Sequence, residues 1–126
     1  MSIQGRDFLI AAKGFVSMPC EAAFRSAASR SYYSLYHEVC GILQHCPPTT
    51  HDGVLSYLTQ GTSRNAEPFD KMSLMQLGAV LGQQKKKRKK ADYELDQEFL
   101  EIEAKSSIAA VEKMIKKIDE LKQDVA

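Results

Sequence analysis

The sequence predicts an all-α fold, a four- to five-helix bundle with largely antiparallel neighbours and two long spine helices. Three observations lead there. Apolar residues recur at spacings of three and four in most segments, whereas alternation of period two never lasts more than a few positions. Turn formers fall between these segments, notably at Pro47 and Pro48 and between Gly61 and Pro68. With 126 residues, 44% of them hydrophobic, the chain is long enough to enclose one real core and too short for a second, so one domain over residues 1–126 is expected.

Residues 2–16 form the first expected helix, with Phe8, Ile10, Ala11, Phe15 and Val16 gathered toward one face and Gly14 weakening its end. A second helix is expected to open at Ser17 as its N-cap, followed closely by Pro19, and to run to about Gln44. Its positions Ala23, Ala27, Ala28, Tyr32, Leu35, Tyr36, Val39 and Leu43 make one apolar stripe. At 1.5 Å per residue it would extend roughly 40 Å, the length of a bundle spine. Residues 52–60 predict a short third helix, with Val54, Leu55 and Leu58 inward and Gly61 as its stop. Residues 69–90 predict a fourth, on the spacing of Met72, Leu74 or Met75, Leu77, Val80 and Leu81. Asp96 is the expected N-cap of the last helix, whose stripe reads Phe99, Ile102, Ser106, Ala109, Met114, Ile118, Leu121 and Val125.

Charge is unevenly placed. The net charge is only +1, yet residues 85–90 are six consecutive bases and the chain beyond them holds ten acids against five bases. Such a molecule is not a general polycation, but an anionic partner would meet the run Lys85, Lys86, Lys87, Arg88, Lys89, Lys90 first. That run is read as an RNA phosphate track, in competition with a solvated helix end balanced by the acidic last helix. Arg6, Asp7 and Lys13 interrupt the N-terminal segment where a secretory signal needs an apolar core, and no apolar run approaches the roughly 20 residues that span a bilayer. A cytoplasmic protein with no membrane partner is expected. Cys20, Cys40 and Cys46 are odd in number and read as free thiols. Cys40, His45, Cys46 and His51 match no zinc spacing, so neither metal nor cofactor is expected.

Phosphate-loop, dinucleotide, nucleophile-elbow and zincin signatures are all missing, as is the Glu-x-x-His pair of di-iron bundles. What remains is the stretch Arg-Ser-Tyr-Tyr-Ser-Leu-Tyr-His from Arg30 to His37. Seven residues at about 100° each return to within roughly 20° of the starting direction, so Arg30 and His37 share a helix face. Tyr33 and Ser26 adjoin that face. A guanidinium binds a phosphate bidentately and an imidazole exchanges protons near neutral pH, the two requirements of phosphodiester chemistry. Asp92 follows Arg88 at i+4, which predicts a local ion pair, with the border of a cleft formed by Arg88, Asp92 and Tyr93 as the other reading.

The segment SRSYYSLYHEV resembles the helix bearing the R-x(4-6)-H signature of HEPN domains, here with six residues between Arg30 and His37. RKKADYELD, residues 88–96, is similar to the Arg-x-x-Ala-Asp-Tyr segment that precedes the last long helix in one HEPN subgroup. The resemblance covers about residues 6–122. It implies a helical bundle that commonly forms a homodimer, and a metal-independent endoribonuclease in which Arg30 neutralises the scissile phosphate and His37 acts as general base or acid. By that likeness the protein would be the toxin of a toxin–antitoxin or defence module, with a cognate antitoxin as partner. Many active members carry a strongly polar residue after the motif arginine, where this chain has Ser31, placed like Ser26 and Tyr33 at the border of the cleft. The other function the resemblance allows is a non-catalytic HEPN module that binds a nucleotide or a nucleotidyltransferase-fold partner.

Overall fold

The computed structural model describes residues 2–125, which fold into five α-helices and one 3-10 turn, with no strand among them. The helices are α1 (Asp7–Val16), α2 (Glu21–Ile42), α3 (His51–Thr59), α4 (Lys71–Tyr93) and α5 (Glu101–Asp124), and the turn is Ser63–Ala66. The helical bundle expected from periodicity is the fold observed. None of these helices is long and apolar enough to cross a membrane.

Helix α2 is the centre, packed by α1, α4 and α5, while α3 lies on α4. Its stripe of Ala23, Ala27, Ala28, Tyr32, Leu35, Val39 and Ile42 is buried. Three neighbours fit round one helix because so many of these side chains are small, which lets backbones approach closely. The α3–α4 contact is closer still: a Cβ added at Gly78 would stand 2.5 Å from Thr59 Cγ2. Across the core, α5 contributes Ala104, Ile108, Val111, Met114, Ile115, Ile118 and Leu121.

Helix limits shift from their expected places for identifiable reasons. Chain direction between α1 and α2 is set by Ser17, whose hydroxyl donates to the Gly14 carbonyl at 2.8 Å and so closes α1 instead of opening α2. Cys20 is the extended residue before α2, and α1 itself begins only at Asp7. Buried Glu67 ends α2 two residues early, accepting the Gln44 and His45 N–H groups at 2.8 and 2.9 Å and the Tyr57 hydroxyl at 2.6 Å. Asp96 caps nothing. Helix α5 starts at Glu101, where the Glu103 carboxylate accepts the Leu100 N–H at 2.9 Å.

The buried stripes also turn. Leu9 and Ala12 replace Ile10 and Ala11 in α1, Met72 lies on the solvent side of α4, and Ile102, Ser106, Ala109 and Val125 face outward around α5. Phe99 is buried but precedes the helix it was assigned to.

One residue governs the α4–α5 corner. Arg25, 8% exposed, sends Nη1 to the carbonyls of Lys90, Ala91 and Glu94 at 3.0, 3.0 and 3.2 Å, and Nη2 to that of Gln97. The last carbonyls of a helix lack internal partners, so a buried guanidinium placed there satisfies several at once and suits the negative end of the dipole. Helix α4 therefore continues past the lysine run to Tyr93. Glu21 joins the same corner by accepting the Phe99 N–H.

Candidate functional site

On the outward side of α2, Arg30, Tyr33 and His37 form the strip that their spacing predicts. Arg30 is half-buried and His37 exposed. The Arg30 guanidinium carbon lies 4.7 Å from the Tyr33 ring centre and 5.8 Å from that of Phe8. The His37 ring stacks on Phe8 at 5.5 Å, lies 6.5 Å from Tyr33 and meets Tyr36 edge-on at 5.4 Å. Among the described residues neither Arg30 nor His37 has a hydrogen bond or ion pair through its side chain; both rest on aromatic faces.

Phe8 reaches this strip because the start of α1 is fixed on α2. Arg6 donates from Nη2 to Glu38 at 2.7 Å and to Asp119 of α5 at 2.8 Å, and its backbone N–H reaches Glu38 at 3.2 Å. Gly5 lies so close that a Cβ there would come 2.9 Å from both Glu38 N and His37 Cβ. Sequence periodicity groups Phe8 with one face of the first helix and does not bring it to the strip; the missed signal is that Arg6 and Glu38 are oppositely charged neighbours of the two segments that meet.

From α4, Arg88 crosses to the strip and donates from Nη2 to the Tyr33 hydroxyl at 2.8 Å. Its Nε lies 3.2 Å from Asp92 Oδ2, the predicted i+4 pair, and Ser29 donates to the same oxygen at 3.0 Å. Exposed Tyr93 lies 5.4 Å from the Arg88 guanidinium carbon. Arg88, Asp92 and Tyr93 thus join the ion pair and the border of the strip in one arrangement. Ser26 is half-buried on the same helix. Ser31 is not at the border: it is fully buried and donates to the Ala27 carbonyl at 2.8 Å, because it falls on the inward stripe with Ala27 and Leu35.

The basic run does not form one continuous track. Six consecutive helical residues point around the whole circumference, and most have partners within the fold. Lys85 pairs with Asp52, Lys90 with Glu103 at 2.8 Å, and Lys87 lies 4.0 Å from Glu103. Lys86 and Lys89, three residues apart, are exposed and border a groove of about 370 Å³ between α3 and α4, with Asp52, Gly78 and Gly82 also in its walls.

A second histidine lies close by. His51, the first residue of α3, stacks on Tyr36 with centres 3.8 Å apart and planes 10° from parallel, and stands edge-on to Tyr33 at 6.1 Å. Its Nδ1 is 2.5 Å from the Tyr32 hydroxyl. Burial, then the charges of Lys85 and Arg88 and the proximity of His37, hold its pKa below the ordinary histidine value, against the opposing pull of Asp52. Sequence alone weighed His51 only as a metal ligand. Among the described residues no three His, Cys, Asp or Glu side chains converge as a metal-binding group.

Fold and site together define a helical bundle with a solvent-facing strip of arginine, histidine and tyrosine. No protein-family model matches the chain, and no curated protein or solved structure matches it.

Proposed function

We propose that this protein is a metal-independent endoribonuclease of the HEPN type, cutting RNA by attack of a ribose 2′-hydroxyl on the adjoining phosphodiester. One observation carries the reading: Arg30 and His37 share a solvent-facing strip in which, among the described residues, no carboxylate or carbonyl occupies either polar group. A charged guanidinium left on aromatic faces retains its donors for an incoming anion, and phosphate matches its fork. His37 takes the 2′-hydroxyl proton, the 2′-oxygen bonds to phosphorus, and the 5′-oxygen leaves with a proton returned by the imidazolium. Arg30 offsets the charge that grows on the phosphoryl oxygens. The products are a 2′,3′-cyclic phosphate and a 5′-hydroxyl.

Two such strips facing one another in a homodimer would deepen the anionic site, and exposed Lys86 and Lys89 extend its positive field. In a cell such an enzyme acts as a toxin held in check by an antitoxin. Expression of the wild type then arrests growth, and His37→Ala relieves the arrest.

The test is incubation with mixed cellular RNA in EDTA, comparing wild type with Arg30→Ala and His37→Ala. Cleavage by the wild type and its loss in both variants is expected. No cleavage, or cleavage unchanged in both variants, overturns the assignment. The competing reading, a non-catalytic HEPN module for a nucleotide or a nucleotidyltransferase-fold partner, gains from the engagement of Arg88 by Tyr33 and Asp92, which leaves it less available to RNA. Binding without cleavage is its signature.

A further inference from the structure

The contact between Tyr32 and His51 decides what the second imidazole can do. The Tyr32 ring is fully buried, and its hydroxyl meets His51 Nδ1 at 2.5 Å. Burial first, and then the neighbouring Tyr36, push the Tyr32 hydroxyl pKa far above the ordinary value, so the phenol keeps its proton. A buried O–H needs an acceptor, and among the described residues His51 Nδ1 is the one that Tyr32 meets. If Nδ1 carried the hydrogen instead, the phenolic hydrogen would be stranded. The neutral His51 ring therefore accepts at Nδ1 and bears its hydrogen at Nε2.

Burial and the cations around it oppose protonation of that ring. Lys85 and Arg88 from α4 and His37 from α2 disfavour the cation, Tyr33 and Tyr36 from α2 pack against the ring, and Asp52 from α3, which favours the cation, is paired with Lys85. Its position in the first turn of α3 adds the positive end of the helix dipole. The ring cannot rotate freely, since it is stacked on Tyr36 and tied to Tyr32.

We propose that His51 is a second substrate-contacting histidine, a neutral donor whose Nε2–H binds a non-bridging oxygen of the RNA phosphodiester handled by Arg30 and His37. This rests on the endoribonuclease reading above. The roles then divide: His37, exposed and without a side-chain hydrogen bond among the described residues, moves the protons, while His51 moves none and holds the phosphate. His37 and His51 flank the same two tyrosines, Tyr33 and Tyr36, which places both imidazoles on one aromatic platform.

The experiment combines long-range proton–nitrogen NMR of the histidine rings, binding of a 2′-O-methyl oligonucleotide that cannot be cut, and single-turnover cleavage of the matching RNA. The His51 ring is expected to show the Nε2–H tautomer near neutral pH. His51→Ala should weaken oligonucleotide binding by about tenfold, with the shape of the pH–rate profile unchanged. His51→Gln, which restores an N–H near the same place, should recover most of the loss. Tyr32→Phe, a second variant in case His51→Ala does not fold, should let the Nδ1–H tautomer appear and weaken binding. An Nδ1–H tautomer in the wild type, unchanged affinity in His51→Ala, or a basic limb that moves in His51→Gln overturns the proposal. If the oligonucleotide binds through His51 and RNA is not cut, the nuclease reading fails and the phosphate contact stands. If RNA is cut and His51→Ala has no effect, the reverse holds, and an absence of binding by the wild type removes both.

Discussion

Arg25 and Arg30 stand five residues apart on one helix and do opposite work. Arg25 points inward at the α4–α5 corner, where four backbone carbonyls take its hydrogens and Phe99 lies 5.6 Å away. Arg30 points outward, with its guanidinium over the rings of Tyr33 and Phe8. Five residues turn a helix by about 500°, some 140° past a full circle, which is enough to carry a side chain from one side to another. The difference teaches that a buried arginine in this fold is recognised by saturated donors, and that an arginine with unsatisfied donors over aromatic rings is the one available to a ligand.

Replacing each arginine by alanine is the sharpest way to break that contrast. Arg25→Ala strands carbonyls at a buried helix end and should cost about 3 kcal/mol of stability, on the order of 10 °C in melting temperature. Arg30→Ala should cost only about 1 kcal/mol, the worth of its contacts with the Tyr33 and Phe8 rings, because among the described residues no polar group loses a hydrogen-bond partner. Thermal unfolding followed by circular dichroism measures both. Equal losses would erase the distinction.

A smaller effect concerns Glu67, the other buried group that organises a helix end. Burial alone would raise its pKa, but the Gln44 N–H, the Tyr57 hydroxyl and the His45 N–H outweigh that and hold it below the ordinary value of 4.5. A carboxyl with a lowered folded-state pKa contributes stability above its unfolded pKa and loses it as pH falls through the folded one. The wild type should therefore lose stability as pH drops below about 4.5, and Glu67→Gln should lose less over that interval. Denaturant titrations at a series of pH values check this, and parallel curves for the two proteins would refute it.

The smallest effect separates the two kinds of lysine in the basic run. Lys86→Gln with Lys89→Gln should lower RNA affinity and reduce the salt slope by about 2, whereas Lys85→Gln with Lys90→Gln should leave the slope nearly unchanged, since Asp52 and Glu103 already hold those charges. Filter binding over a range of salt concentrations distinguishes them. Equal slopes for both pairs would show that ion pairing inside the fold does not select which lysines meet RNA.

The helices of the bundle were legible because the three–four spacing of residues such as Ala23, Ala27 and Leu35 is a local property of the chain. Their ends were not, because they depend on bonds between distant residues: Arg25 with the carbonyls after α4, Glu67 with the N–H groups after α2. The same division applies to the strip. Seven-residue spacing was sufficient to bring Arg30 and His37 to one face, and an i+4 rule gave the Arg88–Asp92 pair. Phe8, Arg88 and His51 arrive from three other helices, and nothing within a single helical period announces that. Ser31 and the lysine run were open to a better reading, since the 100° step alone turns Ser31 inward beside Ala27 and scatters six consecutive side chains.

The most direct test of the central claim is cleavage, in EDTA, of a DNA oligonucleotide carrying one ribonucleotide, by wild type and by a His37→Ala protein of matched melting temperature. Scission 3′ to the ribose with a 2′,3′-cyclic phosphate end, slowed by at least about a hundredfold in the variant, is the predicted result. An equal rate in the two proteins, or cutting that persists when the ribose is 2′-O-methylated, would contradict it.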